Sequence, residues 1–271
     1  MKEKLGLFIE RLKKAFSKES IKSLFEKKNR ATFIAVCSVA AVILATVIIG
    51  VVYVNDYYHA DVIAIGDFLE NEMVSSSFNI DESGLIVATP GDEIKAGLIF
   101  YPGGKVEHTA YLPLMIALAE RGILCVLTPM PCRLAVLDVN AAEEIFEKFP
   151  QVDSWYIGGH SLGGSMAASY LSKNTDKLDG LVLLGSYSTA DVSDSHVITI
   201  LGTEDEVTNM KKYENNKVNI PIGCEEVLIT GGNHAYFGMY GEQKGDGIAS
   251  ITPAEQITRA AYRIADFILN R

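Results

Sequence analysis

The chain has 271 residues, of which 48% are hydrophobic and 21% charged, with a net charge of −10. That is enough for one large domain with its own core plus an appendage. Four cysteines without C-x-x-C spacing argue against a disulfide framework or a zinc site, and positive charge gathered next to an apolar stretch argues against a nucleic-acid partner.

The basic part comes first. Ten lysines and arginines from Lys2 to Arg30 stand against Glu3, Glu10, Glu19 and Glu26, a net of +6, which leaves −16 on the remainder. Leu5, Phe8, Ile9, Leu12 and Phe16 recur at helical spacing between lysines. Two readings of residues 1–20 stay open: a basic amphipathic helix on the inner leaflet, or a solvated positive tail. Ala31 to Val54 then runs for 24 residues without a charge. At 1.5 Å per residue this gives a helix of about 36 Å, enough for a hydrocarbon core of about 30 Å with some tilt. A cleaved signal peptide fits poorly, because its apolar region of about 7 to 15 residues follows a short basic start. The expectation is therefore a basic cytoplasmic segment (1–30) and a transmembrane signal anchor (31–54) in the cell membrane. The acidic remainder lies outside, with Tyr53, Tyr57 and Tyr58 at the outer interface.

Residues 55–80 read as a connecting segment containing a helix from Asp61 to about Glu72, and residues 81–271 as the main domain. Strands are expected near Leu85–Thr89, Gly97–Tyr101, Ile123–Thr128, Ser154–Gly158, Gly180–Leu184, Val197–Leu201 and Val227–Thr230. Helices are expected near Ala110–Arg121, Val139–Phe149, Ser161–Asn174 and Pro253–Asn270. This alternation predicts an α/β fold with a mostly parallel sheet covered on both faces. Gly185 to His196 is too short for an inserted lid, so the site should be open, covered at most by the glycine-rich loop Tyr236 to Ile248.

The chemistry sits at strand ends. Gly159-His160-Ser161-Leu162-Gly163 follows a strand-like run and opens a helix-like one, the context of a nucleophile elbow, in which a serine stands at a strained strand-to-helix corner. A serine flanked by glycines is by itself a common loop pattern, so the downstream partners test it. Gly202-Thr203-Glu204-Asp205 ends one later strand and Gly231-Gly232-Asn233-His234 another. Ser161, Asp205 and His234 thus occur in the order nucleophile, acid, histidine, which is the order of α/β-hydrolases and differs from the two best-known serine protease types. Pro102-Gly103-Gly104-Lys105 ends a buried strand, where glycines let backbone N–H groups approach a ligand. The oxyanion hole is assigned to the N–H groups of Leu162 and Gly104, with Lys105 the alternative to Gly104. Phosphate binding fits this turn less well, since neither the P-loop nor the dinucleotide glycine spacing is present. A turn needed only for chain reversal stays open.

Other candidates are plainer. Cys37 lies in the apolar span, Cys125 in a strand-like run, and a Cys132–Cys224 pairing is less expected than free thiols. His108 is near enough to the Pro-Gly-Gly turn to line the pocket, His59 and His196 read as surface residues, and Pro129-Met130-Pro131 reads equally as pocket floor or plain loop.

Phe100 to Glu107, Ala110-Tyr111, Leu118 to Gly122, the Gly-His-Ser-Leu-Gly-Gly elbow, and Gly232 to Gly241 with Gly245-Asp246-Gly247 together resemble the alpha/beta hydrolase fold-5 family, relatives of dienelactone hydrolases. The resemblance runs from about Gly97 to the C-terminus. It implies Ser161 as nucleophile, Asp205 as acid and His234 as base, and says little about substrate; no metal-ligand cluster emerges among the histidines, and no cofactor is expected. The expected function is hydrolysis of a carboxylic ester or related acyl bond of a small-molecule substrate. A peptidase or acyltransferase on the same residues, or a non-catalytic binding module, are the alternatives.

Overall fold

The computed structural model describes residues 30–270; the possible amphipathic helix at residues 1–20 lies outside them. The chain divides into two compact units, up to Asp56 and from Tyr57 on. In the first, helix α1 (Arg30–Asn55) has 26 residues and buries none of its side chains. It is long and apolar enough to cross a membrane.

The second unit starts earlier than the sequence suggests. The stretch read as a connector, residues 55–80, is part of this unit from Tyr57 on. Helix α2 (Val62–Glu72), capped by Asp61 Oδ1 accepting from Ala64 N at 3.0 Å, buries Ile65 and Phe68 in the core. Strand β1 (Ser77–Ile80) forms one edge of the sheet. The Glu120 carboxylate ties the lead into β1 down by accepting from the N–H groups of Val74, Ser75 and Ser76. A four-residue edge strand, exposed throughout, has no burial pattern for a sequence reading to find.

Then follow β2 (Ile86–Thr89), β3 (Ala96–Tyr101), α3 (Leu112–Ala119), β4 (Ile123–Leu127), α4 (Ile145–Lys148), β5 (Trp155–His160), α5 (Leu162–Leu171), β6 (Gly180–Leu184), β7 (His196–Gly202), α6 (Met210–Asn216), β8 (Glu225–Ile229) and α7 (Pro253–Leu269). The eight strands are ordered β1-β2-β4-β3-β5-β6-β7-β8, antiparallel from β1 to β4 and parallel from β4 to β8. Strands β3 to β6 are buried along their whole length, which is why they read as continuous apolar runs. One face packs on α2, α3 and α7 through residues such as Phe68, Met115 and Ile264, the other on α5 through Ala167 and Leu171.

Two elements differ from expectation. The helix expected over Val139–Phe149 is regular only at Ile145–Lys148. The Tyr101 hydroxyl donates to Val139 O and accepts from Ala142 N, both at 2.9 Å, so a side chain takes the backbone groups that a longer helix would pair. Helix α6 was not expected. Its seven residues bury only Tyr213, and it is held by Asn209, whose side chain accepts from Lys212 N.

Because β3, β5, β7 and β8 are parallel, the turns leaving them at Pro102, Ser161, Thr203 and Thr230 share one edge of the sheet. That edge carries the site.

Candidate active site

Ser161 stands between β5 and α5 with φ 51° and ψ −121°, a conformation that L residues rarely adopt. Its surroundings hold it there. Ser161 N donates to Leu184 O at 2.9 Å, and Ser161 O accepts from Ser165 N and from Ser186 Oγ, the latter at 2.7 Å. Gly163 is required by close approach, since a Cβ there would lie 2.2 Å from Tyr101 O and 2.3 Å from Pro102 O. The start of α5 is thereby pressed against the turn leaving β3.

In that turn the N–H of Lys105 donates to Arg133 O at 2.9 Å, and Val106 N to Gly103 O at 3.3 Å. Neither the Gly104 N–H nor the Leu162 N–H has a hydrogen-bond partner among the described residues. A Cβ on Gly104 would be 3.0 Å from the Leu162 side chain, so these two backbone positions are neighbours.

Asp205 and His234 meet below the serine. Asp205 Oδ2 lies 2.9 Å from His234 Nδ1, and both side chains are 1% exposed. Thr208 Oγ1 donates to the same Oδ2 at 2.7 Å, while Oδ1 accepts from Val207 N and Thr208 N. Burial pushes the Asp205 carboxyl up, but the hydrogen bond and charge of His234 and the Thr208 donors outweigh it and hold the group below the usual carboxylate range. An ionised Asp205 assigns the imidazole proton to Nδ1 and leaves a lone pair on Nε2. That Nε2 is buried without a partner among the described residues; the Ser161 hydroxyl does not reach it in this resting arrangement, although both residues line one cavity. Glu204 and Glu206, the neighbours of Asp205, are exposed.

The cavity has a volume of about 250 Å³, and Ser161, Leu162, Ser165, Ser186, Tyr187 and His234 are among its lining residues. A larger one of about 930 Å³ lies at the opposite end of the sheet beside Lys95 and Ser154, and no histidine lines it. The smaller cavity is the candidate site, because the strained serine and the histidine of the buried Asp–His pair both line it.

Several expectations change. His108 turns away from the site: its Nε2 is 2.8 Å from Gly84 O and it does not line the cavity. His196 is half-buried against Phe267. Pro129 borders a separate cavity, so it forms no floor here. Cys132 and Cys224 are free thiols. The loop from Tyr236 is no cover, since Phe237, Met239 and Tyr240 are buried in the core. Its far end supplies a residue that sequence reasoning missed. Asp246 Oδ2 accepts from Ala235 N at 2.8 Å, and Oδ1 from His234 N at 3.2 Å and Glu206 N at 3.3 Å. One carboxylate thus clamps the acid loop to the histidine loop. Thr208 was missed as well and stands in no pattern, whereas Asp246 lies in the Gly245-Asp246-Gly247 stretch that shares in the family resemblance but was given no role.

A family model described as the Alpha/beta hydrolase family matches residues 97–258, more than half of the chain. The chain belongs to the alpha/beta hydrolase family. It is accordingly a hydrolase, and its fold is similar to that of several solved structures. TT1662 from Thermus thermophilus is 14% identical with a TM-score of 0.54, over 73% of this chain and 98% of that one. A dienelactone hydrolase from Anabaena variabilis is 12% identical with a TM-score of 0.51, over 73% and 99%. Est1E from Butyrivibrio proteoclasticus is 15% identical with a TM-score of 0.50, over 73% and 100%. At such identities the likeness is one of fold. No curated protein matches the sequence of this hydrolase.

Proposed function

We propose that this hydrolase is a membrane-anchored, extracytoplasmic serine hydrolase that cleaves a carboxylic ester or related acyl bond. The observation that carries the reading is the buried Asp205–His234 hydrogen bond beside a serine held at positive φ in the same cavity. Ser161 Oγ attacks the acyl carbon while its proton passes to His234 Nε2, and Asp205 holds the imidazole in the required tautomer. The charge that develops on the carbonyl oxygen is met by the N–H groups of Leu162 and Gly104; Lys105, the alternative, has its N–H committed to Arg133 O. The imidazolium returns its proton to the leaving alcohol, which departs as the acyl-enzyme forms. Water, activated by the same histidine, then releases the acid.

The substrate is a small acyl compound. A volume of about 250 Å³ holds roughly eight waters at about 30 Å³ each, room for an acyl group of a few carbons. Labelling the full chain with a fluorophosphonate and measuring an ester series tests this. Ser161→Ala should abolish labelling and lower hydrolysis by several orders of magnitude, and acyl groups of about two to six carbons should be preferred. Unchanged labelling removes Ser161 from the mechanism, and a maximum at long chains with activation above the solubility limit makes the protein a lipase.

The anchor rests on α1 and on the basic residues before it. Protease added outside intact cells should digest the hydrolase domain or release it near Asn55 to Ala60, leaving the lysine-rich start protected. Protection of Ser161 with exposure of the first thirty residues reverses the orientation.

A further inference from the structure

Behind the turn leaving β3 lies a buried polar chain that the mechanism above does not use. Tyr111 ends a short 3-10 turn (His108–Tyr111) just before α3, and His160 is the last residue of β5; Tyr111 is fully buried and His160 1% exposed. Gly103 N donates to Tyr111 Oη at 3.1 Å, and Tyr111 Oη is 2.7 Å from His160 Nδ1. The fit is close, since a Cβ on Gly103 would lie 2.7 Å from Tyr111 Oη and 2.8 Å from His160 Nδ1.

We infer that Tyr111 and His160 are positioning residues for the oxyanion hole, acting through Gly103 to aim the Gly104 N–H. The inference deepens the proposed function and rests on it. A trans peptide points its N–H and C=O in opposite directions. The plane joining Gly103 to Gly104 is held at its oxygen by Val106 N, and the preceding amide is held by Tyr111. With both fixed, the Gly104 N–H has one direction left. The hydrogen-bond direction follows from the phenol. Its oxygen accepts from Gly103, so its own hydrogen needs an acceptor; His160 Nδ1 lies 2.7 Å away, and the Tyr240 hydroxyl, also beside the phenol, gives its own hydrogen to Gln243 Oε1. His160 then carries its proton on Nε2. Nε2 is buried without a partner in either tautomer, so the phenol hydrogen decides between them. Burial and the neighbouring His234, with ring centroids 4.5 Å apart, favour the neutral form that can accept.

The test is Tyr111→Phe in the full chain, read with an oxygen ester and its thionoester, because a thiolate anion gains less than an oxyanion from N–H donors. The expected result is a fall in kcat of about ten- to a hundred-fold with KM within about two-fold, less than the loss of a hole donor itself. The thionoester should fall much less, so the oxygen-to-sulfur rate ratio shrinks. Equal losses on both substrates, or no loss, overturn the inference. If the variant fails to fold, nitrogen NMR of the wild-type imidazoles decides. Protonated Nε2 with a hydrogen-bonded, unprotonated Nδ1 on His160 supports the inference, and the opposite tautomer overturns it. Activity surviving Ser161→Ala refutes the proposed function instead, whatever Tyr111→Phe does.

Discussion

Ser161 and the N–H groups beside it are held mainly by backbone contacts, whereas Asp205 and His234 are held mainly by side chains in two connections, β7–α6 and β8–α7. In the first region a strained serine, the close packing of Gly163 on the turn after β3, and amide hydrogen bonds to Leu184 and from Ser165 set the geometry. In the second, Thr208 and Asp246 supply the hydrogen bonds that keep a buried carboxylate and an imidazole in register. Under the proposed function the difference has a physical reason. An oxyanion needs donors fixed before charge develops, which backbone provides, whereas a base must exchange a proton and needs a partner whose charge balances it.

The sharpest way to break the comparison is at the acid. Asp205→Asn should lower kcat by about four orders of magnitude, because an amide no longer enforces the Nδ1–H tautomer. Glu204→Gln and Glu206→Gln should stay within a few-fold, both carboxylates being exposed. Steady-state kinetics on the three variants decides, and a large loss in Glu206→Gln would move the acid by one position.

A smaller effect is expected at the clamp. Asp246→Asn turns an amide toward N–H groups that need an acceptor, so the loops bearing His234 and Glu206 should loosen. Activity should fall about ten-fold and thermal inactivation occur several degrees earlier, a loss on the order of 1–3 kcal/mol. Full activity with lower stability would confine Asp246 to a structural role.

The smallest effect lies far from both regions. Burial works to raise the Glu120 carboxyl, but hydrogen bonds from Ser76, Val74 and Ser75 bring it down to about 2. A depressed carboxylate stabilises the fold above its unfolded pKa and loses that contribution as pH falls toward the folded one. Glu120→Gln should therefore cost about 1 kcal/mol near neutral pH, held down by solvent screening, with activity unchanged. The difference from wild type should narrow between about pH 5 and 2; a constant difference would mean that the charge is not what holds the segment.

Much of the first region was legible in the sequence and little of what supports the second. The elbow and the Pro-Gly-Gly turn are marked by glycines because backbones cannot approach so closely past a Cβ. Asp205 and His234 were singled out because each follows an apolar strand. Thr208 stands in no motif, and Asp246, although inside the Gly-Asp-Gly stretch, takes its partners from Glu206 and His234, so nothing local says what it binds. The same holds for Tyr101, whose hydroxyl takes up Val139 O and Ala142 N and leaves only a short helix at Ile145–Lys148.

The sequence by itself determined the apolar helix, the alternating elements, and the order in which Ser161, Asp205 and His234 follow their strands, since these depend on hydrophobic runs and local backbone needs. Tertiary structure alone decided that residues 57–80 belong to the domain, that the Gly104 rather than the Lys105 N–H is left unpaired, and that Asp246 joins two loops. Each of these depends on which distant group takes up a backbone donor or acceptor, and that pairing exists only once the chain has folded.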